Sequence, residues 1–221
     1  MLSVTPPNRT RALTNLLVFN TLRITKAKNP GDTYYEEYIK HWTREGTKFF
    51  DQYHYAIMKV IQKRPARILE IGVRTGSSIC NMLSAYINYN DIKRIVLIDI
   101  WNDTFSSPEL VKINLKLLNI PAEVISKIEF KRADSRKEVP KLQGEFDYIL
   151  VDGDHSKETA IKDLEAVVRL CAQGGVIVFD DISEYGCNLK DVWDDFKAKH
   201  TGEFKFEENI KGKGVGWAIK L

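Results

Sequence analysis

The sequence predicts an α/β fold in which a doubly wound, mostly parallel sheet carries helices on both faces. The first observation behind this prediction is that short apolar runs alternate with longer segments of helical periodicity, which is the pattern of strand–helix–strand units. The second is that three of these runs end in an aspartate, namely Asp99, Asp152 and Asp180. In an open α/β sheet, ligands bind just outside the carboxyl ends of the strands, so these carboxylates are expected at a binding edge.

The elements can be assigned in order along the chain. Strands are predicted at residues 67–71, 95–99, 128–130, 148–152 and 176–180, and helices at 77–86, 108–118, 157–170 and 190–199. Two further strands are predicted at 204–206 and 215–219, around Lys211-Gly212-Lys213-Gly214. A turn of this composition predicts a hairpin, which adds a C-terminal antiparallel edge to the sheet.

The N-terminal part of the sequence has a different pattern. Asn29-Pro30-Gly31-Asp32 is a strong turn signal, and residues 33–62 place apolar and aromatic side chains at spacings of three and four, which predicts helices. We therefore expect an N-terminal arm and helical extension over residues 1–45 and one α/β domain over residues 46–221. The N-terminal helices are also the expected contact surface of a homo-oligomer.

Composition limits the classes of partner and the cellular compartment that we expect for this chain. The 221-residue chain has a formal net charge of +3, which is too near neutral to indicate a nucleic-acid partner. No apolar run approaches the ~20 residues that span a bilayer, and no signal peptide is recognisable, so we expect a cytoplasmic protein without a membrane partner. Cys80, Cys171 and Cys187 show no paired spacing and are expected to be buried apolar residues of a reducing compartment.

The first strand leads into a glycine-containing turn, Glu70-Ile71-Gly72-Val73-Arg74-Thr75-Gly76-Ser77-Ser78. It is not the dinucleotide pattern GxGxxG, because Arg74 occupies the middle glycine position. Asp99 ends the next strand, where a carboxylate accepts hydrogen bonds from both ribose hydroxyls of an adenosine. Trp101, just beyond, either stacks on the adenine or packs under the sheet edge.

Several motifs together resemble a known superfamily. Leu69-Glu70-Ile71-Gly72-Val73, followed by Gly76 and Ser78, resembles motif I of class I S-adenosylmethionine-dependent methyltransferases. The segments 146–156 and 174–182, with Asp163-Leu164 between them, are similar to the small-molecule and sugar O-methyltransferase subgroup. The resemblance covers roughly residues 65–221 and implies the Rossmann-like methyltransferase fold.

The resemblance also implies roles for individual residues. Gly72 and Ser78 would hold the methionine part of S-adenosylmethionine, Asp99 would bind the ribose, and Asp134 with Ser135 would face the adenine. Glu70, Gly76, Trp101 and Asp152 belong to the same expected cofactor site. Asp152, Asp180 and Asp181 stand where metal-dependent relatives bind magnesium, and three carboxylates suit Mg²⁺ or Mn²⁺.

Methyl transfer to a hydroxyl requires a base that takes the proton. Asp154 and His155 are the candidates, because they follow the expected metal ligand Asp152 by two and three residues. The carboxylate position is associated with sugar-modifying relatives, which favours Asp154, and a basic side chain at the His155 position with catechol-type relatives. We therefore expect a metal-assisted O-methyltransferase acting on a small-molecule or sugar hydroxyl.

Two other functions fit parts of the sequence. Asp152-Gly153-Asp154 also matches the DxD motif with which nucleotide-sugar glycosyltransferases bind a metal and a diphosphate. The glycine turn followed by Asp99 argues against that interpretation. A cofactor-binding domain that has lost turnover is the second alternative, and the intact set of Asp152, Asp180 and Asp181 argues against it.

Overall fold

The computed structural model describes residues 65–84, 89–102, 106–117, 119–210 and 212–221. The predicted N-terminal arm, its helices and the domain boundary near residue 45 lie outside these residues. Within the described ranges, no helix is both long enough and apolar enough to pass through a bilayer.

Seven strands form one sheet in the order β3-β2-β1-β4-β5-β7-β6. The strands are β1 (Arg67–Ile71), β2 (Arg94–Asp99), β3 (Ile128–Arg132), β4 (Phe146–Val151), β5 (Cys171–Asp180), β6 (Phe204–Asn209) and β7 (Val215–Lys220). The first five pair in parallel, while β7 pairs antiparallel with both β5 and β6. The predicted fold class and the antiparallel hairpin are therefore confirmed.

The helices connect the parallel strands. They are α1 (Ser77–Ser84), α2 (Pro108–Leu117), α3 (Ala122–Ile125), α4 (Ser135–Glu138), α5 (Lys157–Val168) and α6 (Lys190–Lys199). The short helices α3 and α4 were not predicted, since a single turn carries too little periodicity to be recognised. Strand β5 is longer than predicted, because it begins at Cys171 and has an irregular register against β4 before Tyr148 pairs with Val176.

Two apolar clusters cover the two faces of the sheet, as the doubly wound arrangement requires. One includes Ile79, Leu83 and Val111 from α1 and α2 against β1 and β2. The other places Leu164 of α5 and Trp193 of α6 against the opposite face. Both clusters fix the strands in register, so the residues that follow the carboxyl ends of β1, β2, β4 and β5 share one edge.

Candidate active site

Three carboxylates converge at the ends of β4 and β5. Val151 pairs with Phe179 in the parallel register, so the next residues, Asp152 and Asp180, emerge side by side. Asp181 follows in a left-handed conformation with φ 61 and is 1% exposed. One ligand atom from each aspartate lies within 4.8 Å of those of the other two, so the structure brings together the three residues expected to hold a metal.

Burial makes the charged forms of two of these carboxyl groups costly. Burial raises the pKa of Asp152, as does the charge of Asp181, although a hydrogen bond from His155 acts in the opposite direction. Burial likewise raises the pKa of Asp180 well above its ordinary value, with Asp152 and Asp181 adding to the effect. Such a cluster of acids, with Asp180 and Asp181 buried and Asp152 half-buried, favours a bound cation, which offsets their mutual repulsion.

The His155 imidazole lies among these carboxylates. Its Nε2 is 3.4 Å from Oδ1 of Asp152 and 3.2 Å from Oδ2 of Asp181. The hydrogen bond to Asp152 raises the pKa of His155, against a lowering by burial. The side chain is still 43% exposed, so it can meet a molecule that approaches from solvent.

The Asp154 carboxylate faces a different set of groups. Its Oδ1 accepts a hydrogen bond of 2.6 Å from the backbone amide of Ser156, the residue that precedes α5. This bond holds the pKa of Asp154 below its ordinary value, and the nearby Arg136 adds to the effect. This is a local turn bond to the residue two positions on, just before the helix, and the groups of possible metal ligands found among the described residues join Asp152 to Asp180 and Asp181 without Asp154.

A cation from the C-terminal hairpin completes the cluster. Lys213 Nζ lies 3.3 Å from Oδ1 of Asp181. Burial would lower the pKa of Lys213, but the charges of Asp181 and Asp180 outweigh it and raise the pKa. Backbone bonds hold this turn in place, since Ile182 and Ser183 donate to the carbonyls of Gly214 and Lys213. The sequence predicts only that Lys213 lies in a turn, because no spacing pattern indicates that it approaches Asp181.

The glycine turn lies next to this cluster. Gly72 has φ 84, and a Cβ there would lie 1.7 Å from the carbonyl oxygen of Asp152. Only glycine therefore allows the two strand ends to approach this closely. Glu70 is 1% exposed, and its carboxylate accepts a hydrogen bond from the backbone of Ile79 near the start of α1. Burial, with Asp152 and Asp99 nearby, raises the pKa of Glu70 well above its ordinary value.

Asp99 shapes the same turn from the neighbouring strand. Its Oδ2 accepts hydrogen bonds from the backbone amides of Val73 and Arg74 at 2.8 and 2.7 Å. Its Oδ1 accepts one from the amide of Trp101 at 2.7 Å. A carboxylate has about four acceptor positions, so three amides leave room for one more donor. Asp99 thus orders the loop that follows β1.

The Trp101 ring is part of the core. It is 2% exposed, packs against Phe130 and donates a hydrogen bond of 3.0 Å to the Arg74 carbonyl. In this structure it supports the turn from beneath and offers no open face to an adenine ring. Of the two alternatives left open by the sequence, the structure shows packing.

Two further turn residues have structural partners. Gly76 has φ 79, and a Cβ there would lie 2.7 Å from Val111 Cγ1, so α2 packs directly on the turn. Ser78 is 8% exposed, and its hydroxyl shares a hydrogen bond with the buried hydroxyl of Tyr148. Ser78 therefore joins α1 to β4 at the base of the turn.

The end of β3 forms the other flank of the site. Asp134 caps α4 by accepting from the Arg136 amide and also pairs with the Arg136 guanidinium at 2.7 Å. The Ser135 hydroxyl donates a hydrogen bond of 2.9 Å to Oδ2 of Asp163. Asp163 is 1% exposed, and burial raises its pKa to about 6. From the sequence, Asp163 had no expected role beyond its place in the resemblance, because its burial is a product of the tertiary fold.

The arrangement fits both groups that the sequence implies. Asp152, Asp180 and Asp181 offer the hard oxygen ligands that magnesium prefers, and their ligand atoms already converge. The turn between Glu70 and Gly76, with Asp99 and Asp134 on neighbouring strand ends, lies where α/β sheets bind nucleotides.

Comparisons with known proteins agree with this geometry. Residues 69–182 match the family model of a methyltransferase domain. A protein of Arabidopsis thaliana assigned as a caffeoyl-CoA O-methyltransferase is 28% identical over 158 residues, covering 70% of this chain and 62% of that protein. A Dictyostelium discoideum protein assigned to the same activity is 27% identical over 142 residues, covering 64% of this chain and 53% of its own. This chain thus matches less than two thirds of either relative's length.

Solved structures show the same fold. The O-methyltransferase of Bacillus cereus in complex with SAH superimposes with a TM-score of 0.61 at 15% sequence identity, covering 97% of this chain and 100% of that one. Together with the family model, which spans more than half of the sequence, this agreement establishes the relationship. The chain belongs to the methyltransferase-domain family and has the Rossmann-like fold of class I S-adenosylmethionine-dependent methyltransferases.

Proposed function

We propose that this protein transfers a methyl group from S-adenosylmethionine to a hydroxyl oxygen of a small molecule, with the assistance of a divalent metal ion. The observation that carries the proposal is the convergence of Asp152, Asp180 and Asp181 with His155 beside the glycine turn. The relatives assigned as caffeoyl-CoA O-methyltransferases support the same reaction class.

The cofactor would lie along the strand ends. S-adenosylmethionine supplies an electrophilic methyl group on a positively charged sulfur. Asp99 would accept a ribose hydroxyl while it holds the amides of Val73 and Arg74. Asp134, with 26% of its side chain exposed, would face the adenine together with the start of α4. Gly72 and Ser78 would border the methionine end of the cofactor. Glu70 would support this end of the site indirectly, because its carboxylate accepts a hydrogen bond from the Ile79 backbone near the start of α1.

Asp152, Asp180 and Asp181 would hold Mg²⁺ or Mn²⁺. Bound there, a divalent cation lowers the pKa of the acceptor hydroxyl and orients its oxygen. The three side chains are well placed for this task because they come from adjacent strand ends, whose positions the sheet fixes. Lys213 would neutralise part of the negative charge of Asp181.

His155 is the better-placed proton acceptor. Its Nε2 lies between Asp152 and Asp181, whereas the Asp154 carboxylate accepts a hydrogen bond from the Ser156 amide in the turn before α5. The sequence alone favoured Asp154, and the geometry leads us to exchange the two roles. His155 would take the acceptor's proton as the oxygen attacks the methyl carbon, while the carbon–sulfur bond electrons return to sulfur.

We further propose that the acceptor is a phenolic hydroxyl. A basic side chain at the His155 position matches the catechol-type pattern, and the relatives' assigned substrate carries a caffeoyl group. A phenol loses its proton more readily than a sugar hydroxyl, so an imidazole suffices as its base.

The cellular setting remains part of this proposal. Cys80, Cys171 and Cys187 take part in no disulfide, which suits the reducing cytoplasm, and the N-terminal helices expected from the sequence would form the contact surface of a homo-oligomer. Chromatographic mass measurement and fractionation of cells would test both points.

The test is a methyl-transfer assay with matched acceptors. We expect transfer from S-adenosylmethionine to a catechol-bearing acceptor, loss of transfer in excess chelator, and recovery with added Mg²⁺. A simple sugar serves as the comparison acceptor and should be methylated far more slowly. Activity that persists unchanged in chelator would contradict the metal's role, and transfer to the sugar alone would contradict the acceptor class.

A further inference from the structure

A second set of possible metal ligands adjoins the three aspartates. Asp181 Oδ2 lies 3.2 Å from His155 Nε2 and 3.4 Å from Cys187 Sγ. One ligand atom from each of these three residues lies within 4.8 Å of the others. We propose that His155, Asp181 and Cys187 form a binding site for Zn²⁺ or a similar thiophilic ion, distinct in its ligands from the magnesium site but sharing Asp181.

The donor set selects the ion. Imidazole nitrogen, thiolate sulfur and carboxylate oxygen are the ligands of zinc, and three such ligands leave a fourth position open. Magnesium prefers oxygen ligands and gains nothing from sulfur. The same small region therefore offers an all-oxygen set and a mixed nitrogen, sulfur and oxygen set.

Two of the three ligand separations suit a tetrahedral ion, and the third, between His155 and Cys187, is within 4.8 Å. Zinc bond lengths of ~2.0–2.3 Å place neighbouring ligand atoms roughly 3.3–3.7 Å apart. The observed separations of 3.2 and 3.4 Å need changes of only a few tenths of an ångström. His155 and Cys187 are both exposed, so an ion can reach them from solvent.

The two oxygens of Asp181 face different neighbours. Oδ2 faces His155 and Cys187, while Oδ1 faces Lys213. An ion bound through Oδ2 can therefore leave the Lys213 ion pair in place.

The loop after β5 is folded so that Cys187 returns to Asp181. Amides of Gly186 and Asn188 both donate to the Ser183 carbonyl, and the Leu189 amide donates to the Asp181 carbonyl. A Cβ at Gly186 would lie 2.8 Å from Asp181 Oδ1 and 2.7 Å from the Lys213 carbonyl. The glycine permits the close approach that brings the thiol to the carboxylate.

Zinc occupancy would have a consequence for the enzyme. A bound zinc ion would use His155 and Asp181 as ligands, so it would inhibit methyl transfer. This inhibition rests on the proposed function, whereas the metal site itself does not. Sequence reasoning expected Cys187 to be a buried apolar residue, and that expectation is wrong because Cys187 is exposed while Cys80 and Cys171 are buried.

Cobalt titration of the metal-free full-length protein tests the site directly. Co²⁺ replaces Zn²⁺ and gives a thiolate-to-metal charge-transfer band in the near ultraviolet when a cysteine is a ligand. We expect this band in the wild-type protein without added Mg²⁺, which would compete for the shared Asp181, and its loss in Cys187→Ser. Tyr185→Phe, an exposed change in the same loop, is the control and should keep the band.

Zinc affinity, measured by competition with a fluorescent zinc indicator, gives the second readout. Cys187→Ser should weaken zinc binding by at least about tenfold, since even loss of a partner outside the ligand set costs about 10–100-fold. His155→Gln should weaken it as well. Absence of the band in the wild-type protein, its survival in Cys187→Ser, or equal zinc affinities would overturn the proposal. None of these readouts depends on methyl transfer, so they separate this proposal from the proposed function.

Discussion

The imidazole Nε2 of His155 lies 3.2 Å from Oδ2 of Asp181, although 26 residues of sequence separate them. The sheet register creates this relationship, because β4 and β5 are adjacent and parallel and end at the same level. The neighbouring Asp154 instead accepts a hydrogen bond from the Ser156 amide in the turn before α5. The backbone path after β4 thus determines that His155, and not Asp154, contacts Asp181.

The first prediction concerns the proton acceptor. His155→Gln should lower the turnover rate by about 10²–10⁴-fold, the usual contribution of a positioned base, because glutamine cannot take up the proton. Asp154→Asn is the matched comparison and should have a much smaller effect on turnover. Steady-state kinetics with saturating cofactor measure both, and the reverse order of effects would restore Asp154 as the base.

The second prediction concerns Asp99. Asp99→Ala should weaken cofactor binding by about 1.5–3 kcal/mol, the scale of hydrogen bonds to a charged group, and should also lower the melting temperature. The second effect follows because three backbone amides lose their acceptor. Asp91→Ala, an exposed change before the opposite end of β2, is the control. Calorimetric titration that finds equal affinities for Asp99→Ala and the control would refute the assignment.

The third prediction concerns the cation near the metal ligands. Lys213→Gln should strengthen binding of Mg²⁺ or Mn²⁺ by about fivefold, or ~1 kcal/mol, because a partly exposed positive charge is removed from Asp181. Lys205→Gln, an exposed change on β6, should leave the affinity unchanged. A calorimetric titration in which Lys213→Gln binds the ion no better than the wild-type protein would argue against metal binding at Asp181.

The fourth prediction concerns pH and stability. Burial raises the pKa of Asp163 to about 6 from 3.8, with Asp134 and Asp154 adding to the effect and Ser135 and Arg136 opposing it. The folded protein therefore keeps a proton that the unfolded chain has released, so this group lowers stability as pH rises from about 4 to about 6. This loss of folding stability persists above pH 6, because the carboxyl group is then ionised in both the folded and the unfolded state.

Asp163→Asn removes that titration while its amide oxygen can still accept from Ser135. We expect the variant to gain about 1–3 kcal/mol in free energy of unfolding near pH 8 and little near pH 4. Denaturant unfolding at both pH values measures this, with Glu158→Gln, an exposed change on the same helix, as the control. A gain of equal size at both pH values would show that ionisation of Asp163 is not its source.

Much of the fold was predictable because its signals are local. The apolar runs of β1, β2 and β4 and the helical pattern of α6 lie in contiguous sequence, and the acidic strand ends predicted the edge at which three carboxylates converge. Directions of side chains were not predictable in the same way. The burial of Trp101 and the approach of Cys187 and Lys213 to Asp181 depend on loops whose paths are set by distant contacts.

Calorimetric titration of the protein with S-adenosylmethionine and with its demethylated product tests the proposed cofactor most directly. We expect saturable binding of both sulfur ligands and no heat with NAD, because the turn from Glu70 to Gly76 lacks the dinucleotide pattern while Asp99 follows at the end of β2. Absence of heat and of any thermal shift with either sulfur ligand at millimolar concentration would refute the assignment of S-adenosylmethionine as the cofactor.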